Sequence, residues 1–176
     1  KRANRLLTEL FELSQMDSPD FALKLARTEI CEYLRQICGE LVPRLERAGF
    51  EYAFDICEDS IFVMLDPDRF GRIMQNLADN AVRYNPPGTL VAVHLAVQNG
   101  QVVIDFSDDG IGIPAHLVDN IFKPFVRVDD SRNSKTGGSG LGLSIAKKIA
   151  EAHGGDLTLS PNGNRGSTFR ITIPAI

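Results

Sequence analysis

Hydrophobic positions recur at helical spacing in four long stretches of the chain and alternate with polar ones elsewhere, and these changes of period divide it into elements. Between Lys1 and Met16, Leu6, Leu7, Leu10, Phe11 and Leu13 repeat every three or four residues with charge between them, predicting an amphipathic helix that stops at Asp17-Ser18-Pro19-Asp20. It starts without a cap or preceding loop, so it reads as the surviving end of something longer and the chain as a fragment. Phe21 to Leu25 alternates like a short strand, and Thr28 stands as cap to a helix from Glu29 to about Ala48, ended by Gly49 and bent by Pro43. Strands follow over Phe50 to Ile56 and Ile61 to Leu65. Asp66-Pro67 then opens a helix to about Tyr84, with proline at the first position.

Beyond Asn85-Pro86-Pro87-Gly88, the alternating runs Leu90 to Val97 and Val102 to Phe106 flank Asn99-Gly100, a strong hairpin signal. A glycine-rich turn follows Asp108, then a short helix from Pro114. The polar stretch Asp129 to Ser139 has no periodicity and reads as a mobile loop. A helix from Leu141 to His153 ends at Gly154-Gly155, and the strand pair Asp156 to Ser160 and Thr168 to Ile173 closes the chain. Helices and strands interleave while neighbouring strands are joined by hairpins. The fold class is therefore α+β, a two-layer α/β sandwich with helices on one face of a mixed, mostly antiparallel sheet.

Composition narrows the function. The 176 residues suit one domain with its own core, and 43% apolar with 24% charged residues is the balance of a soluble globular protein. A net charge of -4 with no basic stripe argues against nucleic acid as a partner. The three cysteines lack C-x-x-C spacing, so they encode neither a disulfide framework nor a zinc site, which suits a reducing cytoplasm; Cys31 and Cys38 read as buried small hydrophobes.

Four segments carry candidate chemistry. Asn76, Asn80 and Arg83 share one face of their helix, with Ile73, Leu77 and Ala81 on the neighbouring, core-directed face. An amide oxygen is a good ligand for a hard cation such as Mg²⁺ that also keeps phosphates. Asp108-Asp109-Gly110-Ile111-Gly112-Ile113-Pro114 follows a strand, and its glycines let backbone approach a flat ligand. Gly137 to Ser144 runs into a helix whose first N–H groups suit a polyphosphate, yet it lacks the lysine of a P-loop and the spacing of a Rossmann turn. In Gly166-Ser167-Thr168-Phe169, the Thr168 hydroxyl is placed to support Asp108 directly or through water. Taken singly, each segment is equally well a surface pair, a tight turn, a flexible loop or ordinary strand chemistry.

Together they resemble the boxes of the histidine-kinase catalytic domain, of the gyrase-chaperone-kinase-MutL ATPase superfamily with the Bergerat fold. Asn76 to Tyr84 is similar to the N box, Asp108 to Gly112 to the first glycine box, Ile121 to Val126 to the F box, Gly138 to Leu143 to the second glycine box and Gly166 to Thr168 to the third. The resemblance covers about residues 24 to 174. It implies that residues 1–18 end the second helix of a dimerisation and phosphoacceptor domain, and that 19–176 form the ATP-binding domain.

For single residues it implies Asp108 on the adenine amino group, Asn80 on Mg²⁺ with Asn76 nearby, and Arg83 on the phosphates. Tyr84, Gly110, Gly112 and Ile113 border the adenine, and Gly138, Gly140, Leu141, Gly142 and Leu143 serve the phosphates. Arg127 is a candidate for the γ-phosphate. Residues 128–139 form a lid over ATP, and Phe122 and Phe125 either anchor it or belong to the core. The gyrase and chaperone branches carry a glutamate four residues before the metal asparagine; here that position holds Asn76, which cannot accept a proton. The γ-phosphoryl group is then better suited to a histidine acceptor than to water.

The acceptor should precede an acidic residue on a helix, and His94, His116 and His153 do not. It therefore lies upstream, so the chain binds ATP without phosphorylating itself and is expected as a monomer. The implied partners are the protein's own dimerisation domain, as a homodimer, and a response regulator. Any membrane segment lies in the missing upstream part. The competing readings are an anti-sigma-factor-type serine kinase and a degenerate nucleotide-binding interaction module.

Overall fold

The elements are α1 (Arg2–Met16), β1 (Ala26–Glu29), α2 (Ile30–Arg47), β2 (Glu51–Ile56), β3 (Phe62–Leu65), α3 (Pro67–Tyr84), β4 (Leu90–Gln98), β5 (Gln101–Asp108), α4 (Ala115–Val118), α5 (Gly142–Ala152), β6 (Asp156–Pro161) and β7 (Ser167–Pro174). They come from a computed structural model describing residues 2–127, 138–161 and 165–176. Most of the polar stretch read as a loop lies outside the described residues.

Five strands form a sheet in the order β2-β4-β5-β7-β6, antiparallel except for the parallel β2–β4 pair. Alternation decides which face is covered: Val93, Phe106 and Phe169 face inward side by side, as do Leu95, Ile104 and Ile171, all nearly inaccessible. The residues between them turn outward, where Asp105 and Arg170 pair through two 2.8 Å bonds. The helices cover the inner face, with α3 packed on α5 and α2 on α3. This is the α+β sandwich that the pattern predicts. Among the described residues no helix is long and apolar enough to cross a membrane.

Two local expectations are corrected. The first strand is Ala26–Glu29, not Phe21 to Leu25, because its partner β3 pairs Ala26 with Leu65 and Glu29 with Phe62. The cap of α2 is Glu29 rather than Thr28: its carboxylate accepts from the N–H groups of Cys31 at 3.0 Å and Glu32 at 2.8 Å. The helix also runs on through Pro43. The carbonyl that this proline leaves without its helical N–H partner belongs to Gly39, which is exposed to solvent. Cys31 and Cys38 are buried, as expected, and burial pushes both thiols up to about 12; Cys31 Sγ lies 3.1 Å from Cys57 Sγ.

At the end of α5, His153 ties two helices together. Its Nδ1 lies 2.7 Å from the Ile149 carbonyl and its Nε2 accepts the Asp66 N–H at 3.0 Å, an arrangement that needs the neutral Nδ1–H ring. Burial lowers its pKa, opposed in part by the bond to Ile149 and by the Asp66 charge. The unfolded chain then binds the proton more readily. This contribution to stability is whole above the ordinary value near 6.5 and is lost as pH falls toward the lower folded value. Acidification from about pH 7.5 to about 5.5 should therefore lower the melting temperature of the wild type more than that of His153→Gln. Parallel curves for the two would refute this.

Candidate functional site

Helix α3 carries one wall of the site because its sequence is amphipathic with a sharp start. Asp66 caps it, accepting from Arg69 N at 3.2 Å, and Phe70, Ile73, Met74, Leu77 and Ala78 bury one side. That burial fixes the helix's rotation, so Asn76, Asn80, Arg83 and Tyr84 line a cleft. The end of β5 brings Asp108 to the far end of the same cleft. Counted out into open solvent, the cleft takes in about 890 Å³.

Asp108 is 7% exposed and doubly held: Oδ1 accepts from Gly110 N at 3.0 Å and Oδ2 from Ser167 Oγ at 2.7 Å. The supporting hydroxyl is thus Ser167, where the sequence pointed to Thr168. Asp108 and Ser167 are direct partners across β5 and β7, and Thr168, one residue on, faces the other side and does not line the cleft. Asn85 is the residue that ends α3. Its Oδ1 accepts from Ile111 N at 3.0 Å and lies so close to Gly110 that a Cβ there would overlap it. The turn after Asp108 is therefore clamped from both sides.

Glycine at three positions is required by contact between backbones. Gly166, at φ +73°, donates to Gly110 O at 2.9 Å, and a Cβ on it would overlap the Asp108 carbonyl. Gly112, at φ +75°, sits where a Cβ would come 3.2 Å from Gly166 O. Gly140, at φ +76°, accepts from Phe125 N at 2.9 Å, and its Cβ would lie 2.8 Å from Phe125 Cα. Phe125 is 58% exposed and so outside the core, whereas Phe122 meets Phe169 edge-on at 6.2 Å.

Gly140, Gly142 and Leu143 bring the start of α5 to the cleft. Ser139 Oγ accepts from Leu141 N at 3.2 Å, while the N–H groups of residues 142–144 have no partner one turn earlier and open an anion site at the positive end of the helix. Asn76 Nδ2 donates to Gly142 O at 2.9 Å, so this amide fixes the start of α5 against α3. Gly138 lies beside Arg83, whose Nη1 would be 3.0 Å from a Cβ there.

Of the residues expected at the site, Asn76, Asn80, Arg83, Tyr84, Asp108, Gly112, Ile113, Gly140, Gly142 and Leu143 line the cleft; among the described residues Gly110, Gly138, Leu141, Thr168 and Arg127 do not. Leu141 is a fully buried core side chain, and the Arg127 Nε is buried with no partner among the described residues. Among the described residues no three His, Cys, Asp or Glu side chains cluster as a metal cage. One amide oxygen at Asn80 beside an anion-binding helix start fits instead a hard cation carried in by phosphates. The cleft also has lining residues that the sequence did not suggest: Arg5 and Glu9 of α1, with Asp79 of α3.

Comparisons with known proteins place the chain in a family. The sequence is 32% identical to the sensor histidine kinase WalK of Bacillus subtilis (strain 168) over 176 residues, which is 99% of this chain and 29% of that protein. It is 35% identical over 179 residues to the sensor protein kinase WalK of Staphylococcus aureus, covering 99% of this chain and 42% of that one. The chain thus spans less than half the length of the curated relatives it matches. The structure of full-length ShkA in complex with AMPPNP superimposes with a TM-score of 0.80 and 27% identity, over 97% of this chain and 35% of ShkA. The model of a family described as histidine kinase-, DNA gyrase B-, and HSP90-like ATPase matches residues 65–176, the region holding nearly all of the cleft. By that match over more than half its length, the chain belongs to the family of histidine kinase-, DNA gyrase B- and HSP90-like ATPases.

Proposed function

We propose that this chain is the catalytic part of a sensor histidine kinase: it binds Mg-ATP in the cleft and passes the γ-phosphoryl group to a histidine on a dimerisation domain, for relay to a response-regulator aspartate. The observation that carries this reading is that Asp108, Asn80 and the start of α5 at Gly142 and Leu143, whose first-turn N–H groups have no helical partner among the described residues, open on one cleft. In it, the Asp108 carboxylate accepts from the adenine amino group, with Tyr84, Gly112 and Ile113 along the base and Gly110, outside the cleft lining, holding Asp108 through its N–H. The Asn80 amide oxygen holds the cation, and Arg83 with the backbone of residues 138–143 receives the phosphates. Magnesium, when bound, neutralises phosphate charge. Asn76 keeps the loop in place and offers no base to water, which suits a nitrogen nucleophile in line with the γ-phosphorus and ADP as leaving group. Arg127 and Thr168 have supporting parts at most, since neither lines the cleft.

Residues 1–18 are, on this reading, the end of the second helix of the dimerisation domain, and 19–176 the ATP-binding domain. Leu7 and Phe11, each 65% exposed and one turn apart on α1, support a bundle of helices with the rest of that domain in a homodimer. The likeness to named sensor kinases supports a place on the cytoplasmic side of a membrane sensor. The test is to mix this chain and labelled ATP with a separately made phosphoacceptor helical domain. The expected product is acid-labile, base-stable phosphate on that domain; label on a serine instead would favour the anti-sigma-factor-type kinase, and no nucleotide binding at all the degenerate module.

A smaller prediction concerns the base. Both oxygens of Asp108 already accept from the protein, so in Asp108→Asn the new NH₂ must displace an acceptor and face the adenine amino group or Ser167. Preference for ATP over GTP should fall by about tenfold, as expected for one hydrogen bond replaced by a donor–donor clash. Competition titrations giving an unchanged ratio would remove Asp108 from this role.

A further inference from the structure

Helix α1 sends a buried carboxylate to the cleft. Glu9 is 1% exposed; its Oε1 accepts from Arg5 Nε at 2.9 Å, while its Oε2 is buried with no hydrogen-bond partner among the described residues. Leaving a charged oxygen dry and unpaired costs at least about 1–3 kcal/mol, so a native structure that keeps one there has a use or an occupant for it. α1 is held in this position: Arg5 reaches Asp79 at 3.1 Å, Glu12 reaches Arg69 at 3.1 Å and Arg72 at 3.4 Å, Asp17 pairs with Lys148, and Leu10, Leu13 and Met16 pack on the core. Glu9 opens on the same cleft as Asn76 and Asn80.

We propose that Glu9 is a second protein ligand for the divalent cation that arrives with the nucleotide, supplied by α1 and facing the amide wall of α3. The inference rests on the Mg-ATP reading above. A hard cation with phosphate ligands takes one or two carboxylates from a protein, and in the described part of the cleft two carboxylate oxygens are buried without a hydrogen bond, Glu9 Oε2 and Asp79 Oδ1. Asp79 is ion-paired with both Arg5 and Arg44 and Asp108 is satisfied twice, so Glu9, whose Oε2 has no cation beside it among the described residues, is the carboxylate left for the ion. A consequence follows from linkage. If the cation binds Glu9, bound Mg-nucleotide holds α1 against the cleft, and any upstream event that shifts α1 changes affinity for Mg-ATP by the same factor.

The test is equilibrium titration of the whole chain with a fluorescent ATP analogue, for wild type and Glu9→Gln, in excess Mg²⁺ and in chelator, with melting curves to show that both are folded. Glu9→Gln should weaken Mg-dependent binding on the order of tenfold, with chelator binding unchanged or tighter. In wild type alone, Mg-nucleotide should slow hydrogen exchange of the α1 amides. Mg-dependent affinity equal to or tighter than wild type in Glu9→Gln overturns the proposal. In that case Glu9 either pairs with Arg72, whose Nε is also buried without a partner among the described residues, or merely repels the phosphates. If wild type shows no Mg-dependent binding, it is the Mg-ATP reading that falls.

Discussion

Asn80→Ala should abolish phosphotransfer to the acceptor domain while leaving the fold intact. The two halves of that statement have separate causes. Asn80 is half-exposed on the cleft side of α3, and the residues that anchor the helix, Phe70, Ile73, Met74 and Leu77, are 0–1% exposed on its other side. Truncation opens no cavity in the core. Alanine is the strongest helix former, so the change in stability should stay within about 0.5 kcal/mol. What is lost is the amide oxygen proposed to hold the cation. Removing one preorganised electrostatic group typically costs about 10²–10³ in rate, and here the cation's position on the phosphates is lost with it. The measurement is initial rate of phosphohistidine formation across a Mg²⁺ titration, beside a melting curve. A rate within tenfold of wild type would take the cation away from Asn80.

The contrast between what the sequence made legible and what it hid follows the range of the interactions. The cleft face of α3 was readable because the helical period alone places Asn76, Asn80 and Arg83 together, once Ile73 and Leu77 are assigned to the core. The hairpin at Asn99-Gly100 was readable because the turn chemistry is local, and both residues do have positive φ. The hydroxyl behind Asp108 was not. The alternation of Phe169, Ile171 and Ile173 puts Ser167 on the inner face and Thr168 on the outer, but that Ser167 stands opposite Asp108 is set by the register of β7 on β5, which no local pattern states. The first strand went astray for a similar reason, since the partner β3 lies more than thirty residues on and selects Ala26–Glu29 over a segment with a better alternation of its own. Asn85 acts on a loop 26 residues away, invisible from its own surroundings.

Glu9 differs, because a signal for it was present. It falls in the stripe of Leu6, Leu10, Leu13 and Met16 at helical spacing, so a carboxylate stands at a position of apolar type. That it would be buried was deducible in kind; what would surround it was not. The role of the third glycine box was hidden in another way. Sequence alone offered strand chemistry for residues 166–169, whereas the structure uses Gly166 as a place where two backbones touch.

That contact makes Gly166→Ala the second large perturbation. The new methyl would overlap the Asp108 carbonyl, a backbone atom in the last pair of the β5–β7 ladder that has no side-chain freedom with which to yield. The positive φ of 73° adds strain of about 1–2 kcal/mol for a residue with a Cβ, and overpacking adds roughly 1–3 kcal/mol. The chain can relieve this only by separating β7 from the turn at 108–110, which breaks the Gly166–Gly110 bond and moves Ser167 off the Asp108 carboxylate. Stability and binding should therefore fall together, with a melting temperature several degrees lower and adenine-nucleotide affinity down at least about tenfold. Gly88→Ala is the control: Gly88 also has a positive φ, at 88°, but a Cβ there meets nothing within 4 Å. It should carry the conformational cost alone and keep its affinity. Equal loss of nucleotide binding in the two variants would mean that the third glycine box acts through backbone freedom in general and not through its seat on Asp108.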